Sequence, residues 1–165
     1  MAIPQRKERL RVFNVMKSCF TKLDVLVFDE RIDKDVMSLR SQIDIWDVTA
    51  DIFAYYDFNE NSAGVTLTVG RVYGREAIEK AKEIIDVVNR HVFLNHWSID
   101  DQKGEVTLYM YTVSTNTASF EREFRSGFYD LLDSAIQIYP FIAKQIQDIE
   151  FFRERTKRLD EIRRS

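Results

Sequence analysis

The sequence predicts an α+β fold, in which an antiparallel sheet of about five strands is packed by helices in the order α-βββ-α-ββ-α. Three observations predict it. Apolar residues recur at helical spacing near both ends of the chain and in its centre. Short segments between residues 39 and 69 alternate apolar and polar side chains, which is typical of half-buried strands. The stretch from Ala77 to Val113 passes from a helical pattern directly into two further alternating segments.

The size and composition of the chain fit one domain. A chain of 165 residues buries roughly 68–70% of its unfolded surface. Its hydrophobic fraction of 45%, beside 31% charged residues, argues against a disordered chain. We therefore expect residues 1–165 to form a single domain. Its core should span about residues 5–150, followed by a charged helical tail over about residues 151–165.

Charge and cysteine content exclude several kinds of site. The net charge of −3 gives no overall attraction to nucleic acid or to anionic lipid. The single cysteine, Cys19, excludes an internal disulfide and a multi-thiolate metal site, and we expect it to be buried and inert. The sequence has no secretory signal and no apolar segment near the roughly 20 residues that a membrane span needs. A cytoplasmic protein without metal or cofactor is the expectation.

The first helix is predicted from Gln5 to about Leu23, where apolar residues at helical spacing form one buried face. The next segment is less clear. The apolar run from Val25 to Phe28 fits either a short buried strand or the end of the helix. The charged run from Asp29 to Asp35 is expected to be a solvated connection.

Three strands are predicted next. Alternation from Leu39 to Ile45 indicates a half-buried strand, and a turn near Val48 to Ala50 leads into a second strand from Ile52 to Phe58. The turn-forming residues from Asn59 to Gly64 then close a hairpin onto Val65 to Val69. Three consecutive strands joined by short loops make an antiparallel meander.

A central helix and a second hairpin follow. The helix opens near Gly74 and ends near Asn89. The hairpin strands run from Val92 to Asp100 and from Glu105 to Val113, and Gly104 in the turn can adopt a positive φ. Neither face of this hairpin is plainly polar. A sheet that is apolar on both sides must cover its second face with its own chain, another subunit or a ligand.

The last predicted helix contains apolar residues at helical spacing from Phe120 to Tyr139. Pro140 should end or kink it, because proline lacks the amide hydrogen and disfavours helix in the residue before it. The apolar pattern resumes at Phe141 and continues through Ile149 to Phe152. The charged residues after that point are expected to form a projecting solvated tail rather than an RNA or membrane contact.

Several packing and turn residues between Ala77 and Ile142 carry a resemblance to a known family. They are Val88 and Asn89 at the end of the central helix, the run Trp97-Ser98-Ile99-Asp100, Gly104, and the segment Phe120 to Tyr139 followed by Pro140-Phe141-Ile142. In these residues the chain resembles the bacterial YbjN-type family of sensory transduction regulators and the fold that it shares with class I type III secretion chaperones. The first half agrees in element order only.

The resemblance implies a function without catalysis. For the YbjN-type family it implies a dimeric regulator or binding domain. For the chaperones it implies homodimers that hold an extended segment of a partner protein along their surface.

Catalysis is not expected from the residues either. The two histidines, His91 and His96, do not converge in a regular helix-to-strand geometry, and no HExxH, GxSxG, P-loop or GxGxxG motif is present. Acidic residues are scattered over helix exteriors and loops, so no pair is singled out as general acid and base.

We therefore expect a non-catalytic, protein-binding or regulatory domain, chaperone-like in character. The candidate interface residues are Phe53, Tyr55, Trp97, Tyr109 and Tyr111, and the candidate structural residues are Asn89, Gly104 and Pro140. A homodimer is expected, together with a protein or peptide partner. The alternative is a purely structural or regulatory homodimer whose twin subunit fills the second sheet face. Nucleic-acid binding by the basic residues from Arg153 to Arg164 is the least favoured hypothesis.

Overall fold

The computed structural model describes residues 6–23, 27–46, 48–91, 95–113, 117–146 and 149–151. The helices and strands of these residues follow one another along the chain. They are α1 (Arg6–Lys22), β1 (Val27–Ile32), β2 (Val36–Ile45), β3 (Val48–Asp57), β4 (Ser62–Val72), α2 (Arg75–His91), β5 (His96–Ile99), β6 (Glu105–Val113), α3 (Thr117–Gln145) and β7 (Ile149–Phe151).

The strands form one antiparallel sheet in the order β1-β2-β3-β4-β6-β5, and the short β7 pairs with the end of β4. The meander supplies β1 to β4, and the second hairpin returns to pair β6 with β4. The predicted α+β fold, with its meander, central helix, hairpin and final helix, is confirmed. The meander has one strand more than predicted, and β7 is a further addition.

The additional strand, β1, lies where the sequence left two alternatives open. It begins at Val27, and it continues through Asp29, Glu30 and Arg31. The prediction of a charged connection is therefore wrong over these residues. β1 is the outermost strand on its side of the sheet, and charged side chains suit such an edge because they discourage pairing with another chain.

The turn between β2 and β3 also differs from the prediction. Ile45 pairs with Val48, so Val48 to Ala50 are the first residues of β3 rather than a turn. Trp46 has a φ of 54°, in the left-handed region that two-residue hairpin turns require.

One side of the sheet faces the core. Alternate strand residues on this inner face are buried together with the apolar faces of α1, α2 and α3. Aromatic rings join the helices to each other and to the sheet: the ring centroids of Phe20 in α1 and Phe128 in α3 are 5.4 Å apart, and those of Tyr56 in β3 and Phe120 in α3 are 5.0 Å apart. Cys19 is fully buried in this core. Burial raises the pKa of its thiol.

The last helix does not end at its proline. α3 continues through Pro140 to Gln145, and Ile142 and Ile146 beyond the proline are buried. The predicted continuation of the helical pattern through Ile149 is wrong, because Ile149–Phe151 forms β7 beside Gly70 to Val72 of β4. The charged tail predicted after this point, from residue 152, lies outside the described residues.

Candidate functional site

The candidate site is the outer face of the sheet, which consists of the strand side chains that point away from the helices. Strand register arranges its central part in three cross-strand rows. The first row is Arg40, Phe53, Thr66, Tyr109 and His96; the second is Ser38, Tyr55, Gly64 and Tyr111; the third is Gln42, Asp51, Thr68, Thr107 and Ser98. The first two rows carry the aromatic rings, and the third is polar.

The aromatic side chains of the first two rows contact one another across and along the strands. Phe53 and Tyr55 stack with their ring centroids 6.1 Å apart, and the Arg40 guanidinium lies 5.2 Å from the centroid of Phe53. The rings of His96 and Tyr109 are 5.2 Å apart. Such contacts stabilise neighbouring strands and hold the rings in defined positions.

Gly64 lets Tyr55 lie flat on the sheet. A Cβ atom added at Gly64 would overlap the Tyr55 ring, so the ring occupies the space that a side chain would otherwise fill. The phenol group of Tyr55 therefore extends across β4 toward Tyr111 on β6. Burial, followed by the proximity of Tyr111, Glu60 and Asp57, raises the pKa of Tyr55.

The outer face is open over the part of the chain that the structure describes. The three helices all pack on the inner face. Tyr109 is 39% exposed and Tyr111 is 55% exposed, whereas Phe53 and Tyr55 are half-buried against their neighbours. Four of the five residues predicted for the interface thus lie together on one accessible surface.

The fifth, Trp97, does not. It pairs with Leu108 on β6, points to the inner face and is completely buried. The prediction that Trp97 belongs to the interface is therefore wrong. His96, its neighbour in β5, occupies the outer face instead.

Gln42, Asp51 and Thr68 of the polar row line an open depression of about 590 Å³ beside Phe53. Gln42 donates a hydrogen bond to Asp51 (3.0 Å), and Arg71 forms an ion pair with Glu105 at its edge (2.8 Å). The hydroxyl groups of Ser98 and Thr107 are 2.8 Å apart. The hairpin pattern indicated that this second face would be apolar. The structure shows instead that it has an aromatic part and a polar part.

Of the three residues predicted to be structural, Asn89 makes a specific contact, Gly104 forms a turn, and Pro140 lies inside a helix. The Asn89 side chain donates to the backbone oxygen of Trp97 (2.7 Å) and accepts from its backbone nitrogen (2.9 Å). Gly104 has a φ of 69°, and an added Cβ would overlap the carbonyl of Val72. Pro140 lies within α3, four residues after Ile136.

Local contacts explain the pKa shifts of Asp100 and Lys82. Backbone amides of Lys103 and Gln102 lower the pKa of Asp100, which closes the β5–β6 turn. Hydrogen bonds from Lys82 to Asp101 and then Glu79 raise the pKa of that lysine. The described residues contain no cluster of three or more His, Cys, Asp or Glu side chains placed to hold a metal ion.

Among the outer-face residues absent from the predicted interface, Arg40, His96 and Gly64 contact or adjoin its aromatic rings. Gly64 was assigned to a turn, although it lies in β4 opposite Tyr55. The alternation of β2 and β5 contained the signal for Arg40 and His96, because each stands next to a residue with a buried side chain, Leu39 and Trp97.

Comparison with known proteins gives distant similarities. No protein-family model and no curated protein matches the sequence. One similar solved structure, a crystal structure of the ExsC–ExsE complex, has 15% sequence identity and a TM-score of 0.46, with 84% of this chain and 96% of that chain covered. Another, the HopA1–SchA chaperone–effector complex, has 13% identity and a TM-score of 0.39, with 81% and 99% covered.

At these values the similarity is limited to the path of the chain. The resemblance to the YbjN-type family stays a prediction. Among the described residues, no helix combines the length and apolar character that crossing a membrane requires.

Proposed function

We propose that this chain is a non-catalytic, chaperone-like domain that binds a protein partner through the outer face of its sheet. The observation that carries the proposal is the accessible aromatic surface of Phe53, Tyr55, Tyr109 and Tyr111, on the side of the sheet opposite the three helices. The partner would present apolar side chains to these rings.

The energetics favour association at such a surface. Burying apolar area contributes about 25 cal/mol per Å², and aromatic rings supply much of this area at protein interfaces. Phe53 and Tyr55 are already held by stacking and by the contact of Tyr55 with Gly64. Rings that are ordered before binding lose less conformational freedom when a partner arrives.

The polar row supports specificity rather than affinity. Thr68 and Thr107 of this row offer hydroxyl groups beside the aromatic rows. Arg40 and Asp51 add one charge of each sign to the same surface. Charged groups at the edge of an interface mainly select partners and orient them.

A homodimer is the second candidate, and the charge pattern of the outer face favours it. Arg40 and Arg71 lie on the same face as Asp51 and Glu105, so neither sign dominates. In a two-fold symmetric dimer each patch meets an identical patch, and a patch that carries both signs of charge can complement its own copy. A second copy of the chain would then cover the aromatic rows.

Site-specific crosslinking tests the proposal. Benzoylphenylalanine in place of Tyr111 should crosslink a distinct protein partner on irradiation in the native cell. The same residue in place of Phe141, which is 46% exposed but lies on α3, should not. Light scattering then measures the mass of the purified chain before the partner is added, and shows whether it is a monomer or a dimer.

The substitution Tyr111→Glu should weaken binding of the identified partner at least tenfold, because it places a charge in a desolvated aromatic surface. Phe141→Glu is the matched control and should leave binding unchanged. Equal crosslinking from positions 111 and 141 would contradict the proposal. Crosslinking at position 111 only to a second copy of the chain would support the homodimer instead.

A further inference from the structure

Trp46 and Pro140 lie about ninety residues apart in the chain and meet at one carbonyl group. The indole Nε1–H of Trp46 donates a hydrogen bond of 2.7 Å to the backbone oxygen of Ile136. Trp46 is at the tip of the β2–β3 hairpin, and Ile136 is in α3. The bond therefore joins an end of the sheet to the last helix.

The Ile136 carbonyl is the one that Pro140 leaves without its helical donor. In an α-helix the amide of residue i donates to the carbonyl of residue i−4. Pro140 has no amide hydrogen, and its ring also pushes against the carbonyl of residue i−4. That carbonyl is therefore able to accept from another donor, and Trp46 supplies one.

The φ of Trp46 follows from its position in the two-residue turn between β2 and β3. Its φ of 54° lies in the left-handed region, which costs roughly 1–2 kcal/mol for a residue with a side chain. The residue is 63% exposed, so burial does little to offset that cost. The hydrogen bond to Ile136 therefore holds a ring that is otherwise largely exposed.

The segment after Pro140 is part of the packed core and leads into β7. Ile142 and Ile146 pack into the core, and β7 pairs with β4 a few residues later. A helix that lacks an internal hydrogen bond at residue 140 opens more readily at that point. A donor outside the helix restores the missing connection.

We propose that Trp46 is a latch that fastens the tip of the β2–β3 hairpin to α3 by supplying the hydrogen bond that Pro140 cannot make. The latch keeps the last turns of α3 closed against the sheet. It also couples this part of α3 to β2 and β3, the strands that carry Arg40, Phe53 and Tyr55. The inference does not depend on the proposed function.

A double-mutant cycle with Trp46→Phe and Pro140→Ala tests the latch. Trp46→Phe keeps an aromatic ring but removes the donor. In the chain with Pro140 it should raise the hydrogen-exchange rates of the amides from residue 141 to residue 146 by roughly threefold to tenfold, the effect of losing one net hydrogen bond.

Pro140→Ala provides the matched background, because the amide of Ala at position 140 can donate to Ile136 within the helix. Trp46→Phe in this background should change the same exchange rates less than twofold. Equal effects in both backgrounds would overturn the latch, since the ring rather than its N–H would then be responsible. The absence of an effect in the Pro140 background would overturn it as well.

A measurement on the unmodified chain gives an independent check if a variant fails to fold. The chain has two tryptophans, so its indole N–H groups give two resolvable signals in a ¹⁵N spectrum. The indole hydrogen of Trp46 should exchange with water at least tenfold more slowly than that of free tryptophan, despite the exposure of its ring. Exchange at the free rate would refute the latch.

Discussion

The side-chain amide of Asn89, in α2, forms two hydrogen bonds with the backbone of one residue in β5, Trp97. Asn89 thereby takes the place of a neighbouring strand at this position of the sheet edge. The pair fixes where β5 starts relative to the end of α2, and it does so beside the fully buried Trp97 ring. This geometry explains why a polar residue occurs at the end of an otherwise amphipathic helix.

Asn89→Ala should lower the free energy of unfolding by about 1–3 kcal/mol, because it leaves a partly buried donor and acceptor of Trp97 unpaired. Urea unfolding followed by far-UV circular dichroism measures the change. Asn14→Ala, at an exposed position of α1, is the control and should stay within about 0.5 kcal/mol of the original chain. If both variants are equally stable, the two hydrogen bonds contribute nothing.

Gly64→Ala should destabilise the fold by about 1–3 kcal/mol, because the new methyl group overlaps the ring of Tyr55. In a chain that also carries Tyr55→Ala, the overlap is removed. Alanine is then expected to be neutral or stabilising, since glycine is a poor strand residue. Denaturant unfolding of the four chains of this cycle tests the sign change, and a cost of Gly64→Ala that does not depend on residue 55 would contradict it.

Gly104→Ala should cost more stability than Gly74→Ala. Both glycines have positive φ values, 69° and 92°, so alanine at either position costs roughly 1–2 kcal/mol for its backbone conformation. At Gly104 the Cβ atom also meets the carbonyl of Val72, whereas nothing lies within 4 Å of a Cβ at Gly74. Thermal unfolding of the two variants compares them, and equal melting temperatures would show that the Val72 contact relaxes freely.

Stability should fall at alkaline pH in part because of Tyr56. Burial, followed by the negative charge of Glu8, raises the pKa of this phenol above its usual value. The folded state therefore disfavours ionisation. The stability contributed by neutral Tyr56 is complete below about pH 10, where the unfolded chain begins to ionise, and is lost as the pH rises through the folded pKa.

Urea unfolding at pH 8, 10 and 11 should show a smaller loss for Tyr56→Phe than for the original chain, since phenylalanine has no proton to release. The variant also loses the weak hydrogen bond between Tyr56 and Asn61 at every pH, so the slopes rather than the absolute values are compared. Parallel slopes would show that Tyr56 does not contribute to the pH dependence.

Much of the fold follows from periodicity. The two-residue alternation of Val106, Leu108 and Met110 against Thr107, Tyr109 and Tyr111 matches the inner and outer faces of β6. The same pattern could have excluded Trp97 from the interface. Trp97 pairs with Leu108, and a cross-strand pair always shares a face.

The remaining elements depend on contacts that local sequence does not contain. β1 is charged because it lies at an edge, and its neighbours along the chain do not reveal that position. β7 forms because β4 offers Gly70 to Val72 as a partner, which overrides the helical spacing of the residues after Pro140. Gly64 acquires its role only through the register that places Tyr55 opposite it.

β4 has β3 and β6 as its lateral neighbours, with β7 beside its final residues. A ribosome that makes this chain releases the first six strands long before it releases the seventh. The sheet can therefore begin to assemble during synthesis with the backbone beside Gly70 unpaired by β7, and that pairing forms only after Ile149–Phe151 has been made.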